Sequence, residues 1–270
     1  MLFRSAQYKV FEEARRQGIK VLLDGQGADE LLGGYSRYKI WFLQELWRKG
    51  KYAIFAKERA AFNRQEEELT WSSINIASAW FPAAARLALE QRAQRTIFQN
   101  NDLHPEFVRS AFREEICTKP VVKNLNDLLR WTACHQGLQE LLRYADRNSM
   151  ANGCEVRLPF LQHQLAEWLL QLPATLKFKE GYGKWLLRKS LEPFLPADQV
   201  WQTRKIGFEP PQIQWMGHPV MQQLVAESKK ILVDKHYLNP AVLQRPLLPQ
   251  TAYERYPRDW MYLVAGLLIK

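Results

Sequence analysis

The stretch Ile19-Lys20-Val21-Leu22-Leu23, followed at once by Asp24-Gly25-Gln26-Gly27-Ala28-Asp29-Glu30, constrains the fold more than any other part of this chain. Four of its first five residues are apolar and two are β-branched, so the piece reads as a strand buried on both faces. Upstream, Ala6, Val10, Phe11 and Ala14 fall at helical spacing, and Gly18 stands where a helix C-terminus closes. Downstream, a glycine turn opens onto an acidic helix start. Helix, buried strand, glycine loop and helix together are the grammar of a parallel α/β sheet. Such a strand needs neighbours, yet the chain signals one clear strand and almost no second. The other strands are missing, borrowed from another chain or poorly signalled. The first option fits best and makes the chain the back half of something larger.

Beyond residue 37 the signal is helical. Apolar periodicity predicts helices over Arg37 to Arg48, Tyr52 to Arg64, Pro82 to Gln99, Asn126 to Arg143, Gln164 to Leu172, Lys184 to Phe194 and Arg258 to Leu268. Pro210-Pro211 and the Pro240 to Pro249 region read as loops. The expected class is α/β with a doubly wound parallel sheet for the parent fold. The chain itself is expected to be mostly α-helical, with one or two residual strands.

A hydrophobic content of 47% over 270 residues excludes wholesale disorder. The net charge of +10 favours anionic partners, but the basic residues are scattered in pairs with no run of five. Nucleic acid, a membrane surface and phosphorylated small molecules are the anionic candidates, and the scattered pattern suits a solvated basic surface better than a specific polyanion groove. Three cysteines without a CxxC spacing fit reduced thiols in a cytoplasmic protein. The polar N-terminus is no signal peptide, and the apolar stretch Met261 to Ile269 is too short to span a bilayer.

Four constellations could carry chemistry. Gly25, Gln26 and Gly27 end a strand where open α/β sheets bind ligands, and Asp29 is a carboxylate placed to share a Mg²⁺ ion with a phosphate. The plainer reading is a tight turn with an acidic helix start. The second runs Leu142-Arg143-Tyr144-Ala145-Asp146-Arg147-Asn148-Ser149-Met150 and then Glu155-Val156-Arg157-Leu158-Pro159-Phe160-Leu161. Its arginines, Arg157 among them, suit carboxylate recognition, and its mixed charges, Asp146 included, suit a salt-bridge network at a helix end. In the third, Gly181-Tyr182-Gly183-Lys184, a lysine opens a helix where the dipole disfavours it, as if kept for an anion; a solvated lysine is the alternative. The fourth is Arg204-Lys205-Ile206-Gly207-Phe208, two cations beside a flexible glycine.

In order and wording, these segments resemble the synthetase domain of glutamine-dependent asparagine synthetases, which belong to the ATP-pyrophosphatase, adenine nucleotide alpha hydrolase-like superfamily. The likeness runs from about Gln7 to Trp215. It implies adenylation of the aspartate β-carboxylate by ATP, followed by attack of ammonia that a separate glutaminase domain releases from glutamine. It implies ATP and Mg²⁺ as cofactors. Gly25, Gln26, Gly27 and Asp29 would line the ATP and Mg²⁺–pyrophosphate site, and Asp146 and Arg157 would shape the aspartate pocket. Lys184 would offset phosphate charge in both half-reactions, and Arg204 and Lys205 would lie near pyrophosphate. On this reading residues 1–270 are the C-terminal portion of one synthetase domain. The ATP-loop segment Ser-Gly-Gly-x-Asp-Ser and the glutaminase domain are absent, and the isolated chain is expected to bind ATP weakly and turn nothing over.

This sequence also departs from the family pattern. Gln26 stands where many members carry glutamate, Ala145 where some carry an acid, and Gln162 where aspartate follows Pro-Phe-Leu. The departures leave open a β-lactam synthetase-like enzyme or a related carboxylate-activating amidotransferase. The missing loop leaves open an inactive, partner-binding chain. A homodimer is compatible with any of these.

Overall fold

The computed structural model describes residues 2–65, 69–111, 120–203, 210–251 and 257–270. Arg204 and Lys205 therefore lie outside the described residues. The chain divides into two compact units, one of Gln7–Arg86 and Pro120–Ile206, the other of Met1–Ala6, Leu87–Lys119 and Gly207–Lys270. Helices dominate, and the described strands are four short pieces: β1 (Val21–Leu23), β2 (Glu155–Arg157), β3 (Phe178–Lys179) and β4 (Tyr182–Gly183).

In the first unit, β1 does find a partner within the chain. It pairs in parallel with β2, with Val21 opposite Glu155, Leu22 opposite Val156 and Leu23 opposite Arg157. The backbone ladder continues past both ends, Glu155 N–H donating to Lys20 O at 2.7 Å and Asp24 N–H to Arg157 O at 2.9 Å. β2 escaped sequence reading because it is three residues of alternating charge and valine, too short for a period to register. The expectation that β1 is buried on both faces fails: Val21 is 41% and Leu23 75% exposed. A two-stranded parallel pair covers neither of its own faces, and parallel sheets ordinarily need helices on both. The doubly wound sheet is accordingly not seen among the described residues.

The core of this unit is aromatic and helical. Tyr38, Phe42, Leu43 and Leu46 recur along one face of the Arg37–Arg48 helix and are at most 2% exposed. They pack with Phe55 and Phe62 of the Tyr52–Arg64 helix and with Leu125, Leu128 and Leu129 of the Leu125–His135 helix. Phe178 stacks on Phe42 at 5.3 Å and meets Phe62 edge-on at 6.1 Å, so β3 is anchored in this core. The helix expected over Asn126 to Arg143 is in fact two, Leu125–His135 and Leu138–Ala151. They part at Gly137, whose φ of 87° is open to glycine and costly for other residues. Unbroken apolar periodicity on both sides had hidden the break.

Between β3 and β4 the chain turns through Glu180 and Gly181, both at positive φ (56° and 82°), the signature of a type I′ hairpin. The buried carboxylate of Glu58, on the Tyr52–Arg64 helix, accepts both turn N–H groups at 2.9 and 3.0 Å. A Cβ on Gly181 would stand 2.9 Å from Ala61 C and O, so only glycine lets the turn dock this closely. The hairpin thus leaves the core at a fixed angle and presents the residue after β4, Lys184.

In the second unit the Pro219–Asp234 and Arg258–Ile269 helices pack together at Ser228 and Gly266, where any side chain on Gly266 would overlap Ser228. Leu232, Leu238 and Val242 form its small apolar core. Sequence analysis did not single out the Pro219–Asp234 helix, because its buried face mixes Val225 and Leu232 with Ser228 and Lys229.

Candidate functional site

Three of the four sequence constellations meet in the first unit. β1 pairs with β2, so the glycine turn after β1 sits beside the segment Glu155 to Leu161. The turn is held by Asp24, whose side chain accepts the Gln26 N–H at 3.2 Å. Burial raises the Asp24 carboxyl above its ordinary range, against the lowering effect of backbone hydrogen bonds from Gln26 and Gly25. Gly27 begins the Ala28–Leu32 helix and packs against Leu161, leaving no room for a Cβ. Gly25 is different: a Cβ there would meet nothing within 4 Å. Packing within the protein does not require glycine at that position.

The third constellation reaches the first through an ion pair. Lys184 Nζ lies 2.7 Å from Asp29 Oδ1, with the two side chains 28% and 26% exposed. Gly34 forms the floor beneath them, and a Cβ on it would overlap both Asp29 Oδ1 and Lys184 Cε. Lys184 itself is left-handed, with φ 53° and ψ 30°, at the N-cap of the Trp185–Leu191 helix. A non-glycine residue in this region carries backbone strain of about 1 kcal/mol or more. The expected helix start at Lys184 is therefore one residue early. The lysine is turned out of helical geometry toward Asp29, which explains how it tolerates the unfavourable end of the helix dipole.

A cavity of about 210 Å³ opens beside the pair. Asp29, Gly34, Tyr35, Lys39, Lys184 and Arg188 line it, and Gln65, Gln202 and Thr203 are also on its wall among the described residues. The Tyr35 hydroxyl donates to Glu30 Oε1 at 2.7 Å; burial, then the neighbouring Glu30 carboxylate, push its pKa far above the usual phenol range. Arg188 donates to the carbonyls of Gly183 (2.9 Å), Val200 and Gln202 (3.0 Å), tying β4 to the segment that precedes Arg204. Sequence analysis assigned no role to Asp24, Tyr35, Lys39 or Arg188. Asp24 lay inside the glycine-turn segment. Lys39, inside an ordinary amphipathic helix, gave no signal.

Gly25, Gln26 and Gly27 do not line this cavity; they stand on the β1 side of Asp29. Asp146 is exposed on the Leu138–Ala151 helix, and Arg157 is exposed on β2, paired along its own strand with Glu155 at 2.7 Å. Neither lines the cavity. Ala145 is 2% exposed, and Gln162 caps the His163–Gln171 helix, accepting the Leu165 N–H at 2.7 Å. Those two departures from the family pattern therefore fall on a packing position and a helix cap.

The residues present fit a Mg²⁺ ion that arrives with a phosphate better than a resident one. Asp29 offers one carboxylate, already shared with Lys184, and no group of three or more His, Cys, Asp or Glu among the described residues could hold a metal. Cys134 and Cys154 are free thiols, and among the described residues no helix is long and apolar enough to cross a membrane.

The asparagine synthase family model matches residues 3–267, and the chain belongs to that family. It is 26% identical over 243 residues to asparagine synthetase (glutamine-hydrolyzing) 1 of Bacillus subtilis (strain 168), covering 82% of this chain and 36% of that protein. It is 33% identical over 125 residues to the asparagine synthetase (glutamine-hydrolyzing) of Gallus gallus, covering 44% of this chain and 21% of that protein. It is 24% identical over 257 residues to amidase chyE of Penicillium rubens, covering 80% and 36%. The chain spans about a third of the length of the first curated relatives it matches. No solved structure matches it.

Proposed function

We propose that the cavity beside Asp29 and Lys184 holds the phosphate chain of ATP, and that this chain supplies the corresponding part of a ligase. The ligase adenylates the β-carboxylate of aspartate and lets ammonia displace AMP to give asparagine. The observation that carries the reading is the Asp29–Lys184 ion pair, which joins two separate motifs over a glycine floor and on a strained backbone. A protein gains no stability from strain of this kind, so its persistence points to a task for the amine.

In this reading Lys184 donates to a phosphate oxygen and offsets charge that grows as the carboxylate attacks the α-phosphate. Asp29 aims the amine. Gly25, needed by no packing contact, lets the turn backbone approach the nucleotide, with Gln26 and Gly27 fixing its path. Mg²⁺ bound with ATP would screen the phosphates, with Asp29 as the protein carboxylate nearest to hand. Asp146 and Arg157 would receive the amino-acid substrate on the β2 side, and Arg204 and Lys205 would assist pyrophosphate. Family membership supports a ligase of the asparagine synthetase type. The partner supply of ammonia from glutamine and a cytoplasmic location follow from the same likeness.

Titration of the full chain with Mg²⁺–pyrophosphate by calorimetry tests the reading. Binding should weaken at least tenfold in Lys184→Ala, about 1.4 kcal/mol. Equal affinity in both proteins would overturn it. A second reading keeps the activation chemistry and changes the carboxylate; the match to a protein named for amide chemistry and not for asparagine, amidase chyE, leaves room for it. ATP–pyrophosphate exchange assayed with aspartate and with other carboxylates separates the two substrates.

A further inference from the structure

Glu58 is a carboxylate only 4% exposed, and neither the motifs nor the family likeness gives it a role. It lies on the Tyr52–Arg64 helix, 122 residues before the turn it meets. Its two oxygens act separately: Oε1 accepts the Glu180 N–H at 2.9 Å and Oε2 the Gly181 N–H at 3.0 Å. Bonds from backbone N–H groups to a carboxylate are charge-assisted and stronger than those to a neutral oxygen. A carboxylate can also face two donors at once, whereas a glutamine amide has one accepting oxygen in place of two.

The other end of the same hairpin is tied to the helix that carries Asp29. Lys184 N–H donates to Leu32 O at 3.2 Å. A Cβ on Gly33 would overlap the Phe178 ring, and a Cβ on Gly183 would stand 2.7 Å from Gly33 O. Glu58 therefore holds the turn from the Tyr52–Arg64 side, while Leu32 and Gly33 hold the β4 end from the Ala28–Leu32 side. Lys184 comes three residues after Gly181 and has a left-handed backbone. A strained residue keeps such a conformation only where its surroundings over-determine it. A hairpin whose strands are two residues each, fixed at both ends, supplies that constraint. Its path then sets where the Lys184 side chain meets the Asp29 carboxylate, 2.7 Å away.

We infer that Glu58 is a positioning residue for the Asp29–Lys184 pair. By clamping both N–H groups of the turn it fixes the hairpin that brings Lys184 onto Asp29. It acts through the hairpin and does not itself line the cavity. The inference rests on the proposed phosphate site.

The test is a double-mutant cycle on Mg²⁺–pyrophosphate binding to the full chain, with Glu58→Gln, Lys184→Ala and the double variant. Urea unfolding confirms that each protein folds. Glu58→Gln should lower affinity at least about fivefold in the original chain. In the Lys184→Ala background the same change should alter affinity by less than about twofold, because the residue it positions is gone. A merely structural loss weakens binding equally in both backgrounds, and that result would overturn the inference and leave the site standing. Unchanged affinity in Glu58→Gln would do the same. Unchanged affinity in Lys184→Ala would overturn the site, and the inference with it. If Glu58→Gln does not fold, Glu58→Asp, which keeps the charge and draws it back by one methylene, is read in the same cycle against the same outcomes. Unfolding of both variants while Lys184→Ala folds would also overturn the inference, since Glu58 would then hold the core and not the hairpin.

Discussion

The two units each hold a cluster of opposite charges, and the clusters are built on opposite principles. In the second unit Asp102, 2% exposed, accepts from Arg245, from Arg258 at 3.2 Å and from the Tyr262 hydroxyl at 2.8 Å. Burial pushes this carboxyl up, but the three donors outweigh it and hold it below the usual range. Close by, Lys229 pairs with Asp259 at 2.5 Å, and Asp259 also accepts the Leu248 N–H. These carboxylates are thoroughly satisfied, and none of the residues involved has a left-handed backbone. In the first unit the Asp29–Lys184 pair is partly exposed, its lysine is left-handed and a cavity opens beside it. The first arrangement holds helices together. The second leaves a partly exposed ion pair on a left-handed backbone, which on the proposed reading keeps a cation ready at some cost to the fold.

The largest effect should come from breaking the satisfied cluster. Asp102→Ala strips three donors of their acceptor and should cost about 3 kcal/mol, with the half-exposed arginines limiting the loss. Urea unfolding measures it, while pyrophosphate affinity should stay within twofold. A stable Asp102→Ala protein would erase the contrast.

Lys177 sharpens the comparison next. It is fully buried like Lys229, but it donates to the neutral Asn126 side chain at 2.6 Å. Burial, with Arg130 adding to it and Glu45 opposing, lowers its pKa to about 8 from 10.5. Between those values the unfolded chain binds more protons than the folded one, so this lysine makes stability rise as pH increases. From pH 8 to 10 the original chain should gain about 2 kcal/mol relative to Lys177→Met. Urea midpoints at both pH values check the slope. A flat difference would mean that the buried charge is satisfied after all.

The smallest effect concerns the helix cap beside the turn. Gln162→Asp restores a preferred N-cap residue and should stabilise by about 0.5 kcal/mol, read as a small rise in melting temperature.

Sequence alone carried the long amphipathic helices well. Arg37–Arg48 and Tyr52–Arg64 have the bounds that periodicity predicts, because one wide apolar face specifies each. It failed where short or polar features decide the structure. β2 and the β3–β4 hairpin are two or three residues each, and the Pro219–Asp234 helix buries a lysine and a serine. Asp29 and Lys184 were legible as candidates because glycines surround them, though their contact across 155 residues of chain was not. Lys39 was invisible, since a lysine on an amphipathic helix is ordinarily solvated and only tertiary packing brings it to the cavity. Asp146 and Arg157 stood out by charge, yet both are exposed and away from the Asp29–Lys184 cavity.

Lys184→Gly bears most directly on the central claim, because glycine relieves the left-handed backbone while removing the amine. Calorimetric titration with Mg²⁺–pyrophosphate, run alongside urea unfolding, gives both quantities from one protein. The account expects affinity to fall at least tenfold while stability holds or rises by up to about 1 kcal/mol. Unchanged affinity, or a loss of stability comparable to that of Asp102→Ala, would contradict it.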